Sequence, residues 1–164
     1  MNAPFVGHDV RSNRQLILYD LATVDDVPES FDIAGLYFVA MLVWDANNST
    51  DDEITVISRR LISAGCAYLC CWGRDCERVH GLFDSEWNAN GFDNESDDTI
   101  MTTWHDDDTL DEFICFSMLH TEPTNKYQNG CQSVIALVID DDSLASRIQD
   151  AFADPSQIYA KLDG

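Results

Sequence analysis

Positive charge is what this sequence has least of. Two lysines and seven arginines stand against 30 acidic residues in a chain of 164, giving a formal net charge of -21 and a pI near 4.1. A field of that sign repels phosphate, whether on a nucleic acid or on a lipid surface, so a basic nucleic-acid binder is excluded. Long apolar runs are missing too: none approaches the roughly 20 residues that a membrane span needs. The start, MNAPFVGHDVRSNRQ, has no charged region leading into an apolar one, as a secretory signal would. A cytoplasmic protein with no membrane and no nucleic-acid contacts is expected.

Glycine-rich phosphate loops are also absent. Neither GxGxxG nor GxxxxGK[ST] occurs, so nothing supports a nucleotide and no cofactor is expected. The six cysteines, at positions 66, 70, 71, 76, 115 and 131, lack the two closely spaced pairs of a structural zinc site. In a cytosol they stay reduced, and Cys66, Cys70, Cys71, Cys115 and Cys131 read as small buried hydrophobes.

What is present is a core. At 45% hydrophobic residues the chain can bury one, and at this length a single compact domain is the default. The run LYFVAMLVWD (residues 36–45) is continuous and rich in aromatic and β-branched residues, as a strand covered on both faces is. Thr50 to Glu53 forms a capping box, Ile54, Ile57, Leu61 and Ile62 follow at helical spacing, and Gly65 suits a left-handed C-cap. CAYLCCW (residues 66–72) is a second strand. Asp75 can then cap a helix carrying Val79, Leu82, Phe83 and Trp87, followed by a polar loop over residues 88–98.

TIMTTWH (residues 99–105) gives a third strand, and Thr109 to Glu112 a second capping box opening a helix that ends before Pro123. CQSVIALVID (residues 131–140) is the fourth strand. A helix from about Ser143 to Ala153 follows, stopped by Pro155, with room for a last short one. Strands separated by single helices make a largely parallel sheet. The expected fold is therefore a three-layer α/β domain over residues 35–164, its sheet of four to five strands covered on both faces, as in a Rossmann-like or flavodoxin-like half. Residues 1–34 read as an N-terminal arm, with a possible extra strand at QLILYDL (residues 15–21) and an acidic linker at DDVPESFD (residues 25–32).

Ligands of open parallel sheets bind at the carboxyl ends of the strands. That crest gathers Trp44 and Asp45 from strand one and Trp72, Arg74, Asp75 and Cys76 from strand two. Strands three and four add Trp104, His105, Asp106, Asp107 and Asp108, then Asp140, Asp141 and Asp142. Asp45, Asp106 and Asp140 are the residues that could share a Mg²⁺ ion, although Asp after a strand more often caps the next helix. Cys76 falls in the first turn of a helix, where the dipole lowers a thiol pKa, with His80 one turn on and His105 at the next strand end as imidazole partners. Asp75 and Glu77 flank that thiol and oppose the effect. Arg74 is available to an anion. Trp72 and Trp104 either stack on a ligand or close the top of the core, the second being commoner. His8 and His120 read as solvated surface groups.

The segments SAGCAYLCCWGRDC and MTTWHDDDTLDEFICF resemble a family of small uncharacterised bacterial domains with GC[AL]YL..WG.DC followed, after an acidic loop, by TTWH.D..L.E. The likeness covers about 60 residues, from Ser63 to Glu122. It implies that Trp72, Gly73, Asp75, Cys76, Trp104 and His105 hold the motif positions, and it carries no activity with it. This chain departs in a longer N-terminal arm and fuller acidic runs after Trp104 and Ile139.

The charge points to a non-enzymatic interaction protein of immunity, antitoxin-like or inhibitor type that uses the acidic crest against a basic protein partner. The alternative is a small α/β enzyme or ligand-binding domain working through Cys76 and a histidine or through a Mg²⁺-binding Asp cluster. Salt adaptation, suggested by 2 lysines against 23 aspartates, is weakened by the many large apolar residues.

Overall fold

The computed structural model describes residues 3–89 and 98–163. Six strands form one sheet: β1 (Phe5–Asp9), β2 (Arg14–Leu21), β3 (Tyr37–Trp44), β4 (Cys66–Trp72), β5 (Met101–Trp104) and β6 (Cys131–Ile139). Their spatial order is β1-β2-β6-β3-β4-β5, and every pairing is parallel except that of β1 with β2. Helices α1 (Asp51–Ala64), α2 (Cys76–Ala89), α3 (Leu110–Leu119), α4 (Asn125–Gln128), α5 (Asp142–Ala153) and α6 (Pro155–Asp163) complete the chain. The α/β class and the mainly parallel sheet are as expected.

The strand count is not. Four to five strands become six because Phe5–Asp9 folds back on β2 as a hairpin, with Phe5 opposite Leu18. Its sequence, FVGHD, is too short and polar to announce a strand, and its pairing closes through the side chain of Asp9. That carboxylate accepts from the Arg11 and Ser12 amides at 3.2 Å and from the Tyr159 hydroxyl at 2.6 Å, which pins α6 against β1. The run β3-α1-β4-α2-β5 is a βαβαβ unit, but the whole-sheet order matches neither of the two common doubly wound arrangements.

Burial explains the centre. Every residue of β3 after Tyr37 is buried, as is every residue of β6 except Gln132. β6 pairs on both sides, so Ala136 sits between Leu18 of β2 and Met41 of β3, and Met41 in turn faces Cys70 of β4. Helices α1 and α2 pack together on one face, while α3, α6 and α5 form a connected layer on the other. Residues 22–36 cover the first face beside α1: Phe31 meets Tyr19 and Phe38 edge-on, and Arg60 of α1 donates to the Val27 carbonyl at 3.0 Å.

Local signals place the helix ends. Both capping boxes form, at Thr50 with Glu53 and at Thr109 with Glu112, and Gly65 ends α1 with φ of 109°. Helix α2 runs on to Ala89, past the expected start of the polar loop, and residues 90–97 of that loop lie outside the described residues. No helix among the described residues is long and apolar enough to cross a membrane.

Burial pushes the Cys70 thiol up to about 12, from an ordinary 9.0, and the Tyr68 hydroxyl up to about 12, from 10.0. Both groups are held protonated in the native state, so their contribution to stability is complete at neutral pH and is lost as pH climbs from about 9 toward about 12. The unfolding free energy in urea should be flat from pH 7 to 8 and fall steeply above about pH 9; a value unchanged at about pH 10.5 would contradict this.

Candidate functional site

Strands β6 and β3 lie side by side, yet their chains leave in opposite directions. After β3, α1 leads toward β4; after β6, α5 turns back over β2 and β1. Adjacent parallel strands with diverging exits leave a crevice at their carboxyl ends, the usual ligand position in such sheets. Here it is a cleft of about 630 Å³, within the range that small ligands occupy. Its walls come from Val43, Trp44 and Asp45 of the β3 exit, Trp72, Gly73 and Arg74 of β4, and Ile139, Asp140 and Asp141 of β6. Ala22, Thr23, Val24, Asn48, Ser49, Glu53 and Leu144 complete the lining.

The β4 exit passes very close over the end of β3. A Cβ on Gly73 would meet the Trp44 carbonyl oxygen at 2.3 Å, and its φ of 125° is one that other residues rarely adopt, so glycine is required there. The Ala46 amide then donates to the Arg74 carbonyl at 3.1 Å. Beyond it, the Arg78 guanidinium uses all its nitrogens as a clamp. Nε donates to Asp75 at 2.8 Å, Nη1 to Asp51 at 2.7 Å, and Nη2 to the carbonyls of Ala46 and Ser49 at 2.7 and 2.9 Å. One side chain thereby ties the β3 exit, the start of α1 and the start of α2 together. The Trp72 indole is fixed by donation to the Asp108 carbonyl at 3.0 Å.

The cleft is acidic. Asp45 is exposed, accepts from the Asn47 amide at 3.1 Å and lies 3.7 Å from Arg74. Asp140 is exposed in a left-handed conformation, φ 57°, and Asp141 caps α5 by accepting from the Leu144 amide at 3.0 Å. Glu53 belongs to the α1 capping box. The N-termini of α1 and α5 at the cleft are therefore already occupied by the chain's own oxygens, with Asp51, Asp52 and Asp142 in the same first turns. Alongside, Asp20 at the end of β2 has its carboxyl pKa raised, by burial first and then by Asp142 and Asp141.

The cysteine and histidine candidates are kept apart. Cys76 is buried, and burial outweighs the helix dipole: its thiol is pushed up, with Asp106 adding to the effect. His105 turns its ring to the opposite face of the sheet, against Phe113 and Phe116 of α3. Both its nitrogens are engaged, Nδ1 at 2.6 Å from Asp108 and Nε2 at 2.8 Å from Thr103. His80 stacks on Trp104 at 4.5 Å between centroids, with Nε2 3.5 Å from Asp84. Asp75 is taken up by Arg78, and Asp106 and Asp107 stand exposed after β5. Asp45 and Asp140 line the cleft and Asp106 does not; among the described residues no group of three His, Cys, Asp or Glu is placed to hold a metal ion.

Sequence reasoning did not reach Thr23, Asn48, Ser49, Glu53 or Leu144 as cleft residues, nor Arg78 as the clamp. Thr23 follows β2, and placing QLILYDL parallel to β6 inside the sheet would have brought it to the crest. The others depend on strand order, which local pattern does not encode.

A family model described as Domain of unknown function (DUF7684) matches residues 17–155. No curated protein and no solved structure matches the chain.

Replacing Gly73 by alanine should cost about 2 kcal/mol or more, since both the φ and the contact with Trp44 become strained; a melting temperature equal to wild type would refute the close approach. Asp20→Asn should act the other way. The native state favours the protonated carboxyl, so at pH 7 its ionised form is carried at a cost that the neutral amide removes. The variant should melt higher than wild type at pH 7 in low salt, and the gain should vanish at about pH 3, where the wild-type carboxyl is itself protonated.

Proposed function

We propose, from the premise that the chain belongs to the DUF7684 family, that it is a small non-enzymatic interaction protein that docks a basic protein partner on its acidic crest. The observation that carries the reading is the gathering of carboxylates on one edge of the sheet. Asp20 lies in the last two residues of β2, Asp45, Asp75, Asp106, Asp107, Asp108, Asp140, Asp141 and Asp142 follow the ends of parallel strands, and Asp51, Asp52, Glu53, Asp111 and Glu112 open the helices beside them. The cations that reach this edge leave it acidic: Arg78 pairs Asp51 at 2.7 Å and Asp75 at 2.8 Å, Arg74 lies 3.7 Å from Asp45, and Arg147 and Lys161 each lie 3.7 Å from Asp111. Such a field attracts a cationic surface over roughly a Debye length, about 10 Å at 0.1 M salt, and accelerates encounter.

An immunity, antitoxin-like or inhibitor role in a bacterial cytoplasm fits this chemistry, because blocking a basic active surface needs area and charge rather than catalysis. The inert placement of Cys76 and His105 favours it over the enzyme reading. The test is capture from a lysate of the producing cell on the immobilised protein, with salt-step elution and mass spectrometry, followed by affinity measurement with the purified partner. A stoichiometric basic protein is expected, bound at least about ten-fold more weakly at 0.5 M than at 0.05 M salt. Affinity independent of salt would overturn the reading.

A further inference from the structure

The geometry points to the cleft between β6 and β3 as a receptor for one guanidinium group, supplied by an arginine side chain of the basic partner. This deepens the proposed function and rests on it for the source of the arginine. Three features of the cleft select that chemistry over the alternatives.

The first is its place and size. The crevice exists because β6 and β3 diverge, it has the volume of a ligand site, and it is open at the crest where the partner would sit. The second is what it cannot offer an anion. In doubly wound sheets this crevice serves phosphates through helix N-termini and glycine-rich turns. Here Asp141 holds the N-terminus of α5, and Thr50 with Glu53 holds that of α1. Arg74 is the cation in the lining, and it faces Asp45.

The third is what the cleft does offer. Asp45, Glu53, Asp140 and Asp141 line it together with the half-buried Trp72, while Trp44, also in the lining, is buried. A planar cation with several donors matches that combination, since guanidinium stacks on aromatic faces and bridges carboxylates, whereas a bare ion has no grouped ligand set there. Asp140 is the best placed of the four, exposed in the lining and without a helix-capping hydrogen bond among the described residues.

The experiment titrates agmatine, and separately inorganic phosphate, into the full protein at low salt. It follows tryptophan fluorescence and the indole N–H resonances. The cleft pair Asp45→Asn and Asp140→Asn is compared with Glu122→Gln and Asp150→Asn, which remove the same charge away from the cleft. Asparagine accepts the left-handed conformation of residue 140 and the turn at 45, and thermal melts check that both pairs stay folded.

Saturable agmatine binding is expected, weakened at least about ten-fold in the cleft pair and less than about two-fold in the control pair. The cleft pair should weaken the captured partner similarly, and a partner arginine changed to alanine should lose the same factor. Equal weakening by both pairs would reduce the effect to net charge and overturn the inference. Absence of saturable agmatine binding, or binding of phosphate instead, would overturn it while leaving the salt-sensitive capture of a partner to decide the wider reading. Agmatine binding without any salt-eluted partner would overturn the partner as source.

Discussion

Everything at the carboxyl edge of the sheet depends on where its last strand goes. β6 is made after β2, β3, β4 and β5, yet it inserts between β2 and β3 and pairs with both along its length. A central parallel strand has its backbone groups satisfied on two sides and its side chains buried on two faces, which is why residues 133–139 carry no charge. That insertion separates β2 from β3, sends α5 and α1 apart, and opens the crevice between them. Residues 22–36 and Arg78 then only have to shape an opening that strand order has already created.

The parts legible in the sequence are those governed by near neighbours. The capping boxes at Thr50 and Thr109, the left-handed C-cap at Gly65, and the continuous apolar strands follow from residues three or four apart, and all of them form. What was not legible is pairing. β1 is a polar pentapeptide that becomes a strand because β2 offers it an edge, and the place of β2 beside β6 rests on register with residues 133–139, more than a hundred positions away. The cleft inherits that opacity, since Thr23 and Asn48 come from two separate loops and Leu144 from the first turn of α5, and they meet only in the correct strand order.

The motif residues show the same division. Gly73 is there because the chain has no room for a side chain beside the Trp44 carbonyl, and Thr103, His105 and Asp108 form a hydrogen-bonded row that fastens the end of β5 to the following loop. Trp72 is held by that loop in turn. A sequence signature can thus mark the supports of a crest as readily as its working groups. The crest itself runs against stability at Asp20, where burial first and then the nearby Asp142 and Asp141 disfavour the ionised carboxyl in the folded state. Structure that tolerates such repulsion near a concave surface is what binding sites commonly show, their strain being offset by the core beneath.

The thiols give the molecule a property of their own. Cys66, Cys70, Cys71, Cys76 and Cys131 are buried and Cys115 is half-buried, with no disulfide among them. They are spread over β4, α2, α3 and β6, so an alkylating reagent in solution meets each one only when its own part of the fold breathes. The order in which they become modified is then a clock of local opening, with Cys70 and Cys71 reporting β4, Cys131 the start of the central strand β6 and Cys115 the opening of α3. The protein carries, without any engineered label, six internal probes of how its layers come apart.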